Sequence, residues 1–450
     1  MTSQDASLVR SMATRIRVLL VAPRLPWLLA ALSVVLTLPA LTVGWLIDDW
    51  FHQGLIRGVA MPVDVDSPVF GLFDFFGGGP EKAQVVRDFG FAPWWLPDNL
   101  HIRFLRPLAA VTHLFDHAVA PESAVFAHAH SLLWSGAVVG AVAVLFRRLM
   151  PTASLAGLAA VLYLVDESRG LPTGWVANRS ALLALVFGVC ALLAHDRWRR
   201  ERWRPGAVVG PLLLASALLS AESGLATSAY LFGYALFLDE GPLWRRLRTL
   251  LPYAAVVLLW RVAYDAYGYG ASGSGLYIDP GVQPGRFFAA AVRRWPVLLF
   301  GQWASFPTAV FDFLPASLRA LFIATSIAVL SVVGWLLVPV VRQRPSARMW
   351  LVGMALSAVP ICATFTSNRL LGFVGIGGAA LLAELVGHYR TLGFAGQGLN
   401  RPEGPGRSGR LARLLVLLLA VPPLLQGPFA VGVNARSASY INELFFKPCE

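Results

Sequence analysis

The chain has 450 residues, 56% of them hydrophobic and only 14% charged, where a soluble domain carries about 25% charged residues. The mean hydropathy is +0.62 and apolar stretches recur along the whole length, which excludes a soluble enzyme with a single anchor. A formal charge of +12 would suggest nucleic-acid binding in a soluble protein. Here the basic residues stand in short clusters between apolar runs, the pattern of topology control by the positive-inside rule, so no nucleic-acid partner is expected.

The first 26 residues form a basic segment with Arg10, Arg15, Arg17 and Arg24, read as cytoplasmic. The run from Trp27 to Ile47 is too long for a signal-peptide core and reads as an uncleaved anchor. Further arginine clusters stand at Arg147-Arg148, Arg197–Arg204, Arg245–Arg248, Arg342–Arg348 and Arg401–Arg413. If all face the cytoplasm, an even number of crossings separates each consecutive pair.

The apolar runs satisfy this with about 11 spans in an all-α polytopic chain: 27–47, 123–146, 152–170, 180–196, 206–221, 223–239, 250–264, 317–341, 348–366, 370–388 and 411–427. Read as one helix, 206–239 would be about 50 Å long against a hydrocarbon core of about 30 Å. A hairpin turning at Glu222-Ser223-Gly224 avoids this. The stretch 295–313 is apolar but holds Pro296 and Pro307. Counting it as a span would flip every later cluster, so it reads as interfacial or re-entrant. The resulting organisation is a transmembrane module over 27–390, a flexible Gly/Pro/Arg linker over 391–410, a last span over 411–427 and an outer tail over 428–450. Large structured outer loops, 48–122 and 265–316, are where function is sought.

Candidate chemistry falls on that outer face. Asp48-Asp49 closes the first span and is followed by His52. Mutual repulsion and partial desolvation would raise at least one pKa and make a base, most of all at Asp48, which stands nearer the hydrocarbon. The plainer reading is a solvated span end. The turn Tyr163–Arg179 carries Asp166, Glu167, Asn178 and Arg179, and the latter either binds an anionic headgroup or snorkels. Ser220-Ala221-Glu222 and Ser367-Asn368-Arg369 form two further outer tips. His113 and His117 have a spacing that can hold a metal, but no HExxH pattern accompanies them, so a divalent ion is an open possibility and no cofactor is expected. Cys190, Cys362 and Cys449 show no metal or redox spacing.

The order of these features resembles the GT-C superfamily of membrane glycosyltransferases, in the branch of protein O-mannosyltransferases, TMTC-type mannosyltransferases and bacterial relatives. Asp48-Asp49 matches the first-loop acidic motif that supplies the catalytic carboxylate. Phe104-Leu105-Arg106-Pro107-Leu108 resembles the Arg-Pro-Leu after that loop, and His128 stands at the first histidine of the next motif. His130 and Trp134 depart from that motif. Trp175-Val176-Ala177-Asn178-Arg179 resembles a Trp-x-x-x-Arg motif, Ser220-Ala221-Glu222 a Ser-Lys-Glu without its lysine, and Asn368-Arg369-Leu370-Leu371 the late arginine motif near the donor phosphate.

The resemblance implies a GT-C-like fold in a bacterial inner membrane with its site facing the periplasm. It implies sugar transfer from a polyprenyl-phosphate-linked donor to an acceptor hydroxyl. Asp48 and Asp49 would be catalytic, and Arg106, Arg179, Arg369, Glu222, His128 and His52 would bind substrate. A lipid-linked glycan flippase, or a glycan ligase or polymerase, remains the competing reading.

Overall fold

The computed structural model describes residues 14–59, 61, 67–88, 94–395 and 407–445. Among the described residues, six helices are long and apolar enough to cross a membrane: Leu25–Thr42, Ala124–Leu149, Val176–Glu201, Ala316–Gln343, Gly372–Arg390 and Gly409–Ser437. The chain is therefore a multi-pass membrane protein. The other expected spans are occupied by shorter helices, Ala153–Leu164, Gly206–Leu218, Thr227–Phe237, Leu251–Ala266 and Pro345–Ile361.

Local chemistry sets many of the ends. Ser123 and Thr152 each accept a backbone N–H three residues ahead and start their helices. Arg147 and Arg148 close the first of these helices, where the dipole favours cations. Leu25–Thr37 lies along Ala124–Leu149, with Gly136 against the Ala30 carbonyl and the Ser33 and Ser135 hydroxyls 3.1 Å apart. Small residues and a shared hydroxyl pair are the usual glue between helices in lipid.

Ion pairs and hydrogen bonds sort the helix ends into two levels. At the arginine-rich end, Arg148 pairs with Asp196 at 2.6 Å, Arg199 with Asp239 at 2.9 Å and Arg344 with Glu384 at 3.3 Å. These contacts join the end of the second expected span to that of the fourth, the fourth to the sixth, and the eighth to the tenth. At the opposite end, Arg106 meets Glu222 and Asn368 meets Glu167. The 206–239 stretch is a hairpin, because the backbone turns extended at Ala221 (φ −163, ψ 153). Helix Pro284–Ala304 does not cross. It starts beside Ile278, whose N–H donates to Ala363 O, and its C-terminal side meets Asn368 through Phe306 O, so both ends lie at the Asp48 end.

Three expectations change. The first span does not run to Ile47: its helix tightens into a 3-10 turn, Leu38–Thr42, and Gly44 at φ +77 redirects the chain into a separate helix, Ile47–Ile56. The two outer loops are joined by a small sheet, β1 (Asp74–Gly77), β2 (His101–Arg103) and β3 (Gly270–Ser272), antiparallel in the order β1-β2-β3, so the fold is helical with one β element. The tail expected over 428–450 is instead helical to residue 445, as part of Arg407–Phe445. Gly170 and Gly174 have no room for a Cβ against that helix. Of the expected linker, 391–395 and 407–410 are helical, and 396–406 lies outside the described residues, as do 1–13 of the basic segment.

Candidate functional site

At the Asp48 end a cavity of ≈ 1430 Å³ opens between the helices and the sheet. One part of its wall is apolar, with Leu182, Leu185, Val257, Phe287 and Phe373. Another is polar, with Asp48, Arg106, Glu222 and Arg369.

The paired aspartates have different surroundings. Both lie in the first turn of Ile47–Ile56, which begins after an extended Leu46. Asp49 points inward and is 2% exposed. Its carboxylate accepts the Leu46 N–H at 3.0 Å and the Ala177 N–H at 2.7 Å, so it caps its own helix and fastens the Val176–Asn178 turn. Asp48 lines the cavity and has no hydrogen-bond or ion-pair partner among the described residues. Burial pushes Asp48 up to about 6 against the opposing pull of Arg369 and Arg106. Burial pushes Asp49 further, to about 7, despite its two backbone hydrogen bonds. Burial thus raises both carboxyls, Asp49 at least as much as Asp48. What distinguishes Asp48 is that a ligand can reach it.

Arg369 stands on the short turn Asn368–Leu370. Asn368 pins that turn: its Oδ1 accepts the Thr308 N–H at 3.0 Å and hydroxyl at 2.8 Å, and its Nδ2 donates to Glu167 Oε1 at 2.6 Å. The Arg369 guanidinium lies 5.1 Å from the Trp175 ring and 5.5 Å from the Phe365 ring, with no carboxylate in ion-pair range among the described residues. Arg106 also faces the cavity, but its Nε and Nη2 donate to Glu222 Oε2 at 3.0 and 2.7 Å. Glu222 therefore neutralises Arg106 and holds its plane over Phe104, at 4.3 Å.

Three residues expected to bind substrate are elsewhere. Arg179 is fully buried and pairs with Asp116 at 2.6 Å while donating to Ser131 Oγ and Ala127 O. It neither snorkels nor faces the cavity, since its donors are consumed inside the protein. His128 is buried, and its Nε2 lies 2.8 Å from Gly44 O, which steadies the turn after the first span. His52 packs against Phe73 and His113 with ring centroids 4.6 and 5.1 Å away, outside the cavity wall. His113 is consumed in the same packing, and no group of three or more His, Cys, Asp or Glu is placed to hold a metal among the described residues.

The cavity also holds buried polar groups without partners, of which the sequence did not single out Trp260 or Thr364. Trp175 Nε1, Asn178 Nδ2, Ser223 Oγ, Trp260 Nε1 and Thr364 Oγ1 are buried without partners, and all five residues line its wall. Such groups are costly to leave unmet and call for a ligand rich in hydrogen-bonding oxygens. No sequence pattern identifies Trp260 or Thr364, because only the fold brings helix Leu251–Ala266 to the same cavity as Trp175 and Arg369.

No protein-family model matches the chain and no curated protein matches it. Among solved structures it is similar in chain course to ArnT from Cupriavidus metallidurans bound to undecaprenyl phosphate, with 15% identity, a TM-score of 0.45, and 95% of this chain and 79% of that one covered. The apo state of ArnT gives 14% identity, a TM-score of 0.40 and coverages of 84% and 75%. The Archaeoglobus fulgidus oligosaccharyltransferase tethered with an acceptor peptide gives 10%, 0.44, 93% and 55%. These likenesses concern the course of the chain, and the residue roles below come from this chain's own geometry.

Proposed function

We propose that the chain is a GT-C-type glycosyltransferase that moves a sugar from a polyprenyl-phosphate-linked donor to an acceptor hydroxyl at the periplasmic face of a bacterial inner membrane. The observation that carries this reading is an unpaired carboxylate, Asp48, and an unpaired guanidinium, Arg369, on one cavity that also has an apolar stretch of wall. The lipid lies along the apolar wall. The donor phosphate meets Arg369, with Arg106 beside it, and the unpartnered Trp175 and Asn178 donors meet sugar or phosphate oxygens.

Asp48 accepts the proton of the acceptor hydroxyl as its oxygen attacks the anomeric carbon. The bond to the phosphate oxygen breaks, and the polyprenyl phosphate leaves with charge stabilised by Arg369, giving inversion. Holding both substrates in one cavity supplies much of the rate effect by proximity. Asp49 serves this reading as the clasp that positions Asp48. The charges sit at one end of the bundle rather than at mid-height, which favours transfer over lipid transport.

The test is purified protein in liposomes with radiolabelled undecaprenyl-phosphate mannose and a periplasmic acceptor extract. Label passing to the acceptor supports the reading. Lipid crossing the vesicle membrane without label transfer would support a flippase instead.

A further inference from the structure

A second, smaller crevice of ≈ 60 Å³ lies behind the catalytic cavity, on the other side of the Glu167–Arg169 turn. Asp166 and Glu167 line it at the Asp48 end of the bundle, and neither has an ion-pair partner among the described residues. The nearest guanidinium in sequence, that of Arg169, lies close enough to Asp166 to feel its charge but forms no ion pair with it, donating instead to the Tyr163 and Leu164 carbonyls and to Ser33 Oγ. The two carboxylates are already oriented: Asp166 accepts the Ser168 N–H at 2.9 Å and Gln302 Nε2 at 2.8 Å, and Glu167 accepts Asn368 Nδ2 at 2.6 Å.

Two further polar atoms on this crevice are unmet. Ser168 is 3% exposed and its Oγ has no partner. Gln302 spends its amide nitrogen on Asp166, which leaves its buried Oε1 without a donor. The crevice thus presents two carboxylates, an amide oxygen and a hydroxyl, and its unmet need is for donors with positive charge. Its remaining walls are apolar, with Leu382, Leu419 and Pro422, and exposed Ser305 and Gln426 mark its mouth. An occupant therefore combines a cationic donor head with an apolar body that follows the helices into the bilayer. A primary ammonium carries three N–H donors, which the unmet acceptors accommodate.

We propose that this crevice binds the primary ammonium of a membrane aminophospholipid, seated on Asp166, Glu167, Gln302 and Ser168. Through the Glu167–Asn368 hydrogen bond, the lipid-binding carboxylate touches the turn that carries Arg369. The site meets the donor cavity at Ser168, which lines both, and does not depend on the proposed sugar transfer.

Native mass spectrometry of the full chain tests it, with equimolar palmitoyl-oleoyl phosphatidylethanolamine, its N-methyl and N,N-dimethyl forms, and the corresponding choline and glycerol lipids. One ethanolamine lipid per chain is expected to survive activation that strips the choline lipid, with affinity falling at each methyl and about tenfold lower at choline. The Asp166→Asn/Glu167→Gln double variant loses that preference, and Ser168→Ala weakens it. Equal retention of ethanolamine and choline lipids by the wild type overturns the proposal, and this comparison needs no variant to fold. Stoichiometric Mn²⁺ binding, seen by electron paramagnetic resonance and lost in the same double variant, overturns it in favour of a metal ion. Because the readout is binding alone, its failure leaves the transferase reading standing.

Discussion

Both ends of the helix bundle hold ion pairs, but the Asp48 end also leaves charged groups on a cavity wall unpaired. At the arginine-rich end, the buried Asp196 and Glu384 meet guanidinium groups, and Arg148 alone bridges Asp196 and Glu201. At the other end, Asp48 and Arg369 face the same cavity and are left unpaired, although each is near enough to influence the other. Leaving both charges unmet in a partly desolvated wall costs stability and is justified only by a ligand that completes them. The pairs at the first end hold helices, whereas the unpaired groups at the second are available for chemistry.

Substitution at the unpaired end should break activity with little loss of fold. Asp48→Asn is expected to lower turnover by about 10²–10⁴-fold, the usual worth of a general base, while labelled donor still binds. Arg369→Ala should cost about 10²–10³-fold in transfer through lost stabilisation of the leaving phosphate, and Arg369→Lys should restore only part of it, since lysine lacks the planar fork. Steady-state transfer assays on each variant check both.

At the paired end the effects reverse. Asp196→Asn leaves Arg200 without its charge partner and Arg148 with Glu201 alone, and because both arginines are partly exposed it should lower unfolding stability by about 1 kcal/mol, with turnover per folded molecule unchanged. Thermal unfolding together with activity per folded protein separates the two. The smallest effect is expected at Glu222→Gln, which keeps shape but releases Arg106 from its counter-charge: about a tenfold change in transfer, carried mainly by the KM for donor.

The raised carboxyls give a further contrast in pH. A folded-state pKa above the unfolded value means that the folded chain holds protons the unfolded chain has lost. Stability therefore declines as pH rises from about 4, the unfolded range, through about 6 at Asp48 and about 7 at Asp49. Asp48→Asn should unfold at a higher temperature than wild type at pH 8 and at a similar one at pH 4, so the residue that provides the base is also a cost to the fold.

How much of this was legible in the sequence follows from what each signal encodes. Arginine spacing encodes the side of the membrane, and the pairs Arg148–Asp196 and Arg199–Asp239 join the ends that parity required. Short motifs encode order along the chain but not where a side chain points. Arg179 and His128 sit in motifs and yet turn inward, to Asp116 and to Gly44, because their neighbours in space come from distant helices. Asp48 and Asp49 could not be separated by sequence, since one helical step of about 100° sends one carboxylate to the cavity and the other to Ala177. The helix continues beyond the expected last span at 411–427 because Gly170 and Gly174, distant in sequence, give it a surface to pack on.

The most direct test of Asp48 as the base is the pH dependence of labelled-sugar transfer by purified wild type, Asp48→Asn and Asp49→Asn protein between pH 4.5 and 8.5. The account predicts that kcat/KM in wild type rises tenfold per pH unit up to a bend near 6, that Asp49→Asn keeps this limb, and that the residual activity of Asp48→Asn lacks it. A limb that persists in Asp48→Asn and vanishes in Asp49→Asn would contradict the account and move the base to the buried neighbour.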